Sequence, residues 1–361
     1  MIHRLINPSQ RRAAHKHRRD AGATNAGARR RAGLTLMELM VVITIIVILV
    51  AGSLPVLIPA LEQRRTREAA RLVHTACGRA QSQAVANGRP AGVLIQRMKR
   101  NGRGSVLIYQ AVVPPPYAGD TIDAKVLLTA QSGRGGNVVV TASAVDPNDT
   151  FSFAPNMARV GDRMQFDYQG PLYEIVGGAA GTPEPNGPGF VTLPLRLTAD
   201  IGQGEIPWTE PDRRPVAVAY QVFRQPIKTA AEPAQLPAGT VIDLRQSWEG
   251  SGIQATRLGG LMSDSKFPII VTFSRNGSLD FIYYHDGRTF KGHKPRGAVF
   301  LLIGKLDKLG SDANPAGTNV QELTNLWVSI GRQTGLVTTS KMSKGDQGLK
   351  FARDSQSTGG L

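Results

Sequence analysis

The chain has 361 residues, a net charge of +16 at pH 7, 40 glycines, 23 prolines and only 6% aromatics. Its length admits two or three domains, and its glycine and proline content favours short strands joined by many turns over a helical bundle. The single cysteine, Cys77, excludes an intrachain disulfide, so a folded domain here must be held by its own core.

Residues 1–33 carry nine Lys/Arg and one Asp, half of the net charge, and show no apolar periodicity. They read as a basic leader of unusual length that is removed, and whose charge keeps it on the cytoplasmic side of a membrane. A nucleic-acid-binding tail is the competing reading. Arg11-Arg12 and Arg18-Arg19 mimic a twin-arginine signal, but no convincing small-residue cleavage site follows.

The next stretch, RAGLTLMELMVVITIIVILVAGSLPVLIPAL over residues 31–61, organises the rest. Leu39 to Leu61 is a run of 23 residues without a charge. As a helix it spans about 35 Å at roughly 1.5 Å per residue, enough to cross a bilayer. Glu38 intrudes at its edge. A carboxylate carried to mid-membrane costs on the order of 2–3 kcal/mol, and with no basic partner in its own helix it points to a partner on another chain.

Gly33-Leu34-Thr35-Leu36-Met37-Glu38 resembles the prepilin cleavage and methylation site of type IV pilins and pseudopilins. An ordinary transmembrane anchor with an accidental glutamate is the competing reading. The resemblance implies that a membrane peptidase cuts after Gly33, the last leader residue, and methylates Leu34, the first mature residue. It makes Glu38 the fifth mature residue, the position of the family's near-invariant glutamate. Pro55 falls at the twenty-second mature position, where members often carry a helix-bending proline. Leu34 departs mildly from the commoner Phe or Met.

Beyond Pro59, small and apolar residues recur at Ala69, Leu72/Val73, Ala76, Ala80 and Ala84, with Leu61 before them. That spacing is an apolar stripe on one helical face. Arg64, Arg65, Arg67, Arg71 and Arg79 decorate the rest, Glu68 can pair with Arg71, and Asn87-Gly88 followed by Pro90 is a strong stop. Residues 62–88 therefore read as an amphipathic continuation of the helix, loosened or bent at Gly52, Pro55 and Pro59. Cys77 lies on the stripe and reads as packing.

From Ala91 the period changes to two. The predicted strands are Ala91–Arg97, Ser105–Val113, Thr121–Ala130, Asn137–Ala142, Met164–Val176, Phe190–Thr198, Pro215–Arg224, Thr240–Leu244, Pro268–Ser274, Leu279–Tyr284, Ala298–Gly304, Leu326–Ile330 and Leu336–Thr339. Turn chemistry separates them, best at Arg275-Asn276-Gly277-Ser278. Residues 177–188 and 225–238 read as proline-rich loops, and residues 306–321 and 341–361 as flexible.

The segment REAARLVHTACGRAQSQAVANGRPAGVLI is similar to the helix and first strand of H-type minor pseudopilins and FimT-like minor pilins. LPAGTVIDL and FPIIVTFSRNGSLD are similar to their C-terminal strands. Residues 100–236, between them, form an insertion too long for that pattern.

No catalytic constellation stands out. His3, His15 and His17 lie in the leader, and His74 faces out on the helix. His285 and His293 lack the cysteine or Glu-x-x-His spacing of a zinc site, and Asp286-Gly287 after His285 is a turn signal first. Gly250-Ser251-Gly252 is a loop rather than a dinucleotide site. Asp146, Asn148 and Asp149 crowd oxygen ligands together without the spacing and closing acid of a calcium loop, so a turn is favoured. Lys291, Lys294, Arg296, Lys341, Lys344, Lys350 and Arg353 make the last quarter basic. Phosphate contacts there would give salt-sensitive, non-specific DNA binding, and a solvated face is the preferred reading.

The expected fold is α+β: a long N-terminal helix, with a transmembrane half over 34–61 and an amphipathic half, packed on an antiparallel β-rich globular domain over 89–340. The resemblance implies a non-enzymatic structural subunit without a cofactor, of either a type II secretion pseudopilus or a type IV pilus. A DNA-binding minor pilin for DNA uptake is the alternative. The implied partners are a prepilin peptidase, other pilin or pseudopilin subunits, the inner-membrane assembly platform and membrane lipid. The implied location is the bacterial inner membrane, single-pass, with the C-terminal domain in the periplasm until assembly.

Overall fold

We analysed the protein as a computed structural model, which describes residues 35–132, 138–144, 157–175, 192–197, 214–250, 256–258, 267–285, 287, 290–310, 318–345 and 348–357; within α1 the side chains of 53–58 are also left aside. The chain divides into two compact units at Pro55/Val56.

In the first unit lies the start of α1 (Leu36–Asn87), a helix whose range includes Pro55 and Pro59. Its apolar residues from Leu36 to Val50 are exposed to solvent in the single chain. Among the described residues no helical stretch is long and apolar enough to cross a membrane. The run read from the sequence continues through 53–58.

In the second unit, α1 follows the predicted stripe. Ala69, Ala70, Val73, Ala76, Cys77, Ala80 and Ala84 are buried. Their small side chains let the helix lie close to a sheet, and the five arginines stay exposed. Leu61 departs from the stripe and is half exposed, while Thr66 joins it, buried, with its hydroxyl donating to Glu62 O at 3.0 Å. The helix stops as predicted. Gly88 takes φ +60°, Arg89 N–H donates to Ala84 O and Gly88 N–H to Val85 O, a Schellman ending.

β1 (Ala91–Arg97) and β2 (Gly104–Val112) follow. Then the chain leaves the main sheet. β3 (Lys125–Ser132), β4 (Val138–Ala144), β5 (Arg163–Phe166), β6 (Gln169–Ile175), β7 (Thr192–Leu197) and β8 (Val216–Phe223) close a barrel in the order β3-β4-β7-β6-β5-β8. Among the described residues, the insertion thus contributes a small barrel with its own core, which includes Leu128, Met164, Phe166, Tyr173, Tyr220 and Val222. The predicted single strand Met164–Val176 is in fact the β5–β6 hairpin, turning on Asp167 and Tyr168, at φ +50° and +59°.

The chain returns through β9 (Ile227–Lys228) and β10 (Ala234–Gln235), two short strands against β2 where the sequence reads as a loop. Next come β11 (Thr240–Glu249), β12 (Thr256–Arg257), β13 (Ile269–Phe273), β14 (Leu279–His285), β15 (Phe290–His293), β16 (Val299–Lys305), β17 (Leu326–Ile330), β18 (Val337–Lys341) and α2 (Lys350–Ser357). The sheet is antiparallel with the main order β15-β14-β13-β1-β2-β11-β16-β17-β18, and its β13–β14 hairpin turns at the predicted Asn276-Gly277.

Both faces of this sheet are covered, so β13 and β16 read as unbroken apolar runs. Along β16, Val299, Leu301 and Ile303 join the core under α1, while Phe300 and Leu302 join a second core with Trp327, Met342, Leu349 and Ala352. Where residues of 341–361 are described, that second core corrects the expectation of flexibility. α2 packs there, with Trp327 Nε1 donating to Gly348 O at 2.9 Å and Gln356 Nε2 to Ser329 O at 3.1 Å. The expectation for 306–321 is corrected too where residues are described: Leu306–Lys308 and Asn319–Gln321 are 3-10 turns, and Asn319 is fully buried.

Barrel and sheet are bonded to each other. Arg163 on β5 donates to Gly292 O at 2.9 Å and stacks its guanidinium 4.4 Å from the Phe281 ring.

Candidate functional site: the N-terminal segment

Thr35 precedes the first turn of α1. Its Oγ1 accepts the backbone N–H of Glu38 at 3.2 Å, and its carbonyl accepts that of Leu39 at 3.1 Å. Thr35-x-x-Glu38 is the sequence pattern of a helix start, a threonine N-cap with an acid at the third helical position. The charge of Glu38 alone does not disclose this local role; the four-residue Thr-x-x-Glu pattern does. Glu38 is exposed and lies in the first turn, where a carboxylate also meets the positive end of the helix dipole.

Along the same segment Leu36, Met37, Met40, Ile43, Ile46, Val47 and Val50 are at least half exposed. The one hydroxyl among them, Thr44, bonds back to Met40 O at 2.8 Å and so presents little free polarity. Surface of this kind is unfavourable in water by about 25 cal/mol per Å² and calls for an apolar environment or a partner. Gly33 and Leu34 lie outside the described residues, and Pro55 lies within α1 with its side chain outside them.

Elsewhere the structure brings together groups the sequence did not pair. His293 Nε2 lies 2.6 Å from Glu249 Oε2, and Glu249 Oε1 accepts Arg296 N–H at 2.8 Å. Burial pushes the Glu249 carboxyl up, but His293 and these other contacts outweigh it and hold the carboxyl below its usual range. The pair lies 44 residues apart in sequence, so no local pattern announces it. His285 accepts Gly287 N–H on Nδ1 and stacks on Phe267, as a turn residue does; Asp286 lies outside the described residues. His74 is exposed, as expected, with Nε2 3.0 Å from Val337 O.

Cys77 is buried, and desolvation pushes its thiol up to about 12. Asp146, Asn148, Asp149 and the 251–255 loop lie outside the described residues; among the described residues no His/Cys/Asp/Glu cluster has metal-binding geometry. The basic residues of the last quarter do not form one stripe. Lys291 is on β15 and Lys341 on β18, opposite edges of the sheet.

Residues 28–54 match the prokaryotic N-terminal methylation motif. The match takes in the arginine cluster, the Gly33–Leu34 junction, Glu38 and the apolar run up to the residue before Pro55. The chain thus carries the prepilin-type motif of type IV pilin-family subunits, which are processed at the N-terminus. Comparison with curated proteins and with solved structures returned no match.

Proposed function

We propose that the chain is a structural, non-catalytic subunit of a type IV pilin-like filament. The leader is cut between Gly33 and Leu34, Leu34 is methylated, and the apolar half of α1 anchors the protein in the inner membrane before it packs among the helices of other subunits. The basic leader supports a cytoplasmic N-terminus and a periplasmic β domain. The observation that carries this reading is the coincidence of the methylation motif with apolar side chains left exposed from Leu36 to Val50.

Glu38 meets the free amine of Leu34 on a neighbouring subunit. Each group is costly in apolar surroundings, and together they satisfy one another. Pro55 adjusts the helix for that packing. A prepilin peptidase and an assembly platform are the partners this requires. The helix and the LPAGTVIDL and FPIIVTFSRNGSLD segments resemble H-type minor pseudopilins and FimT-like minor pilins alike, so the filament is a type II secretion pseudopilus or a type IV pilus.

The experiment is co-expression with a prepilin peptidase, followed by mass spectrometry of the membrane form and isolation of filaments. The expected N-terminus is N-methyl-Leu34, Gly33→Val accumulates the full precursor, and Glu38→Leu is cut but absent from filaments. An N-terminus upstream of Leu34, or normal incorporation of Glu38→Leu, overturns the reading.

A further inference from the structure

Where the barrel meets the main sheet on the side away from α1, a cleft of about 430 Å³ opens. Small-molecule sites run from roughly 300 to 1,000 Å³. Leu94, Ile270 and Phe290 give it an apolar wall and belong to a small cluster separate from the core under α1. Arg159 and Arg224 come from the barrel side and Lys228 from β9. Asp162 is the one carboxylate in the lining, and its two oxygens are engaged by the backbone N–H groups of Arg159 and Gln225. The lining therefore carries three cations against one anion whose bonding capacity is largely spent.

The cations are positioned but poorly used. Arg224 Nη2 donates to Pro115 O at 3.0 Å and so fixes the guanidinium. Among the described residues its Nη1 faces only the Met157 thioether, at 3.4 Å, and its Nε is buried without a partner. A thioether is a weak acceptor, whereas a carboxylate makes the short, charge-assisted bonds that guanidinium geometry suits. Arg159 is exposed, and the Lys228 ammonium sits 3.6 Å from the Tyr109 ring centroid, held over its face. A held guanidinium with spare donors beside an apolar wall is complementary to an anion with an apolar body.

We propose that this cleft binds an organic carboxylate, its charge on Arg224 and Arg159 and its apolar body against Leu94, Ile270 and Phe290. The carboxylate belongs either to a free small acid or to the C-terminus of a protein chain. The site shares no residue with the N-terminal segment.

The test is isothermal titration calorimetry on the full chain in nanodiscs. The probes are 4-phenylbutanoate, its neutral amide, and a hexapeptide ending in phenylalanine with a free or an amidated C-terminus. Saturable binding of the acid, with the amide at least roughly tenfold weaker, is expected, as is a similar loss in Arg224→Gln and Arg159→Gln. Lys344→Gln, remote from the cleft, serves as the unchanged control. A free-terminus peptide that outbinds the small acid identifies a chain terminus as the source; the small acid alone identifies a free metabolite; both uphold the site. Because Arg224→Gln also removes a bond to Pro115, the wild-type comparison of acid with amide decides the matter if that variant fails to fold. No saturable binding of either carboxylate, equal binding of the amide, or binding unchanged in Arg159→Gln overturns the proposal.

Discussion

Gln225 donates its backbone N–H to Asp162 Oδ1 at 2.9 Å, tying the second residue after β8 to the turn just before β5. Arg159 N–H holds the other oxygen at 2.8 Å. Burial nonetheless pushes the Asp162 carboxyl from 3.8 up to about 6, against the lowering effect of those two bonds and of the Arg159 and Arg224 charges. A carboxyl raised in the folded state favours folding while protonated. Its contribution is full below about 4 and fades as pH rises through about 6. The stability of wild type relative to Asp162→Asn should therefore fall by about 2 kcal/mol between pH 4.5 and 7.5. Denaturant titrations of both proteins across that range measure it, and a pH-independent difference would refute it.

Two glycines of positive φ separate strain from crowding. Gly335, at φ +64°, would place a Cβ 1.9 Å from Gly277 O, where Gln81 also donates at 2.9 Å. Gly345, at φ +76°, has nothing among the described residues within 4 Å of such a Cβ. Gly345→Ala should cost about 1 kcal/mol from the backbone alone. Gly335→Ala should cost about 3 kcal/mol or more, because the β13–β14 turn must also move away from α1. Urea unfolding of the two variants compares them, and equal losses would mean that the contact yields freely.

Cys77 should be inert in the folded protein. It is 1% exposed and its thiol is pushed up to about 12, so neither access nor thiolate is available at pH 8. Ellman's reagent should find no thiol in the native state and one per chain in guanidinium chloride. Rapid native labelling would show that α1 detaches from the sheet.

Thr35→Ala removes the cap on Glu38 N–H and should destabilise the first turn of α1 by about 1 kcal/mol. Faster amide exchange at Met37 to Leu39, with Ala69 to Ala84 unchanged, is the expected pattern. Unchanged exchange at Glu38 would show that the cap contributes nothing in the intact protein.

The elements written in local pattern were legible. The alanine stripe, the Asn87-Gly88 stop, β1, β17 and the Asn276-Gly277 turn all follow from short-range rules that one segment can satisfy alone. The N-terminal methylation motif over residues 28–54 was legible, whereas the capping role of Thr35 lies in a hydrogen bond to Glu38 N–H that charge and hydropathy do not register. The β5–β6 hairpin was illegible because Asp167 and Tyr168 adopt positive φ without glycine, which only the pairing of Arg163 with Glu174 and Phe166 with Gln169 enforces. α2 was hidden for a similar reason. Its polar sequence offers no stripe of its own, and it forms where Leu349 and Ala352 complete the core around Trp327.

By itself the sequence determined the helix, its apolar half and the N-terminal methylation motif, because each rests on the order of neighbouring residues. Only the tertiary structure decided that the long insertion closes into a barrel, that the sheet is covered on both faces, and that Glu249 meets His293 and Asp162 meets Gln225. Those relationships join residues 44 and 63 positions apart. Burial and hydrogen bonding at such separations depend on the fold as a whole, and no local period encodes them.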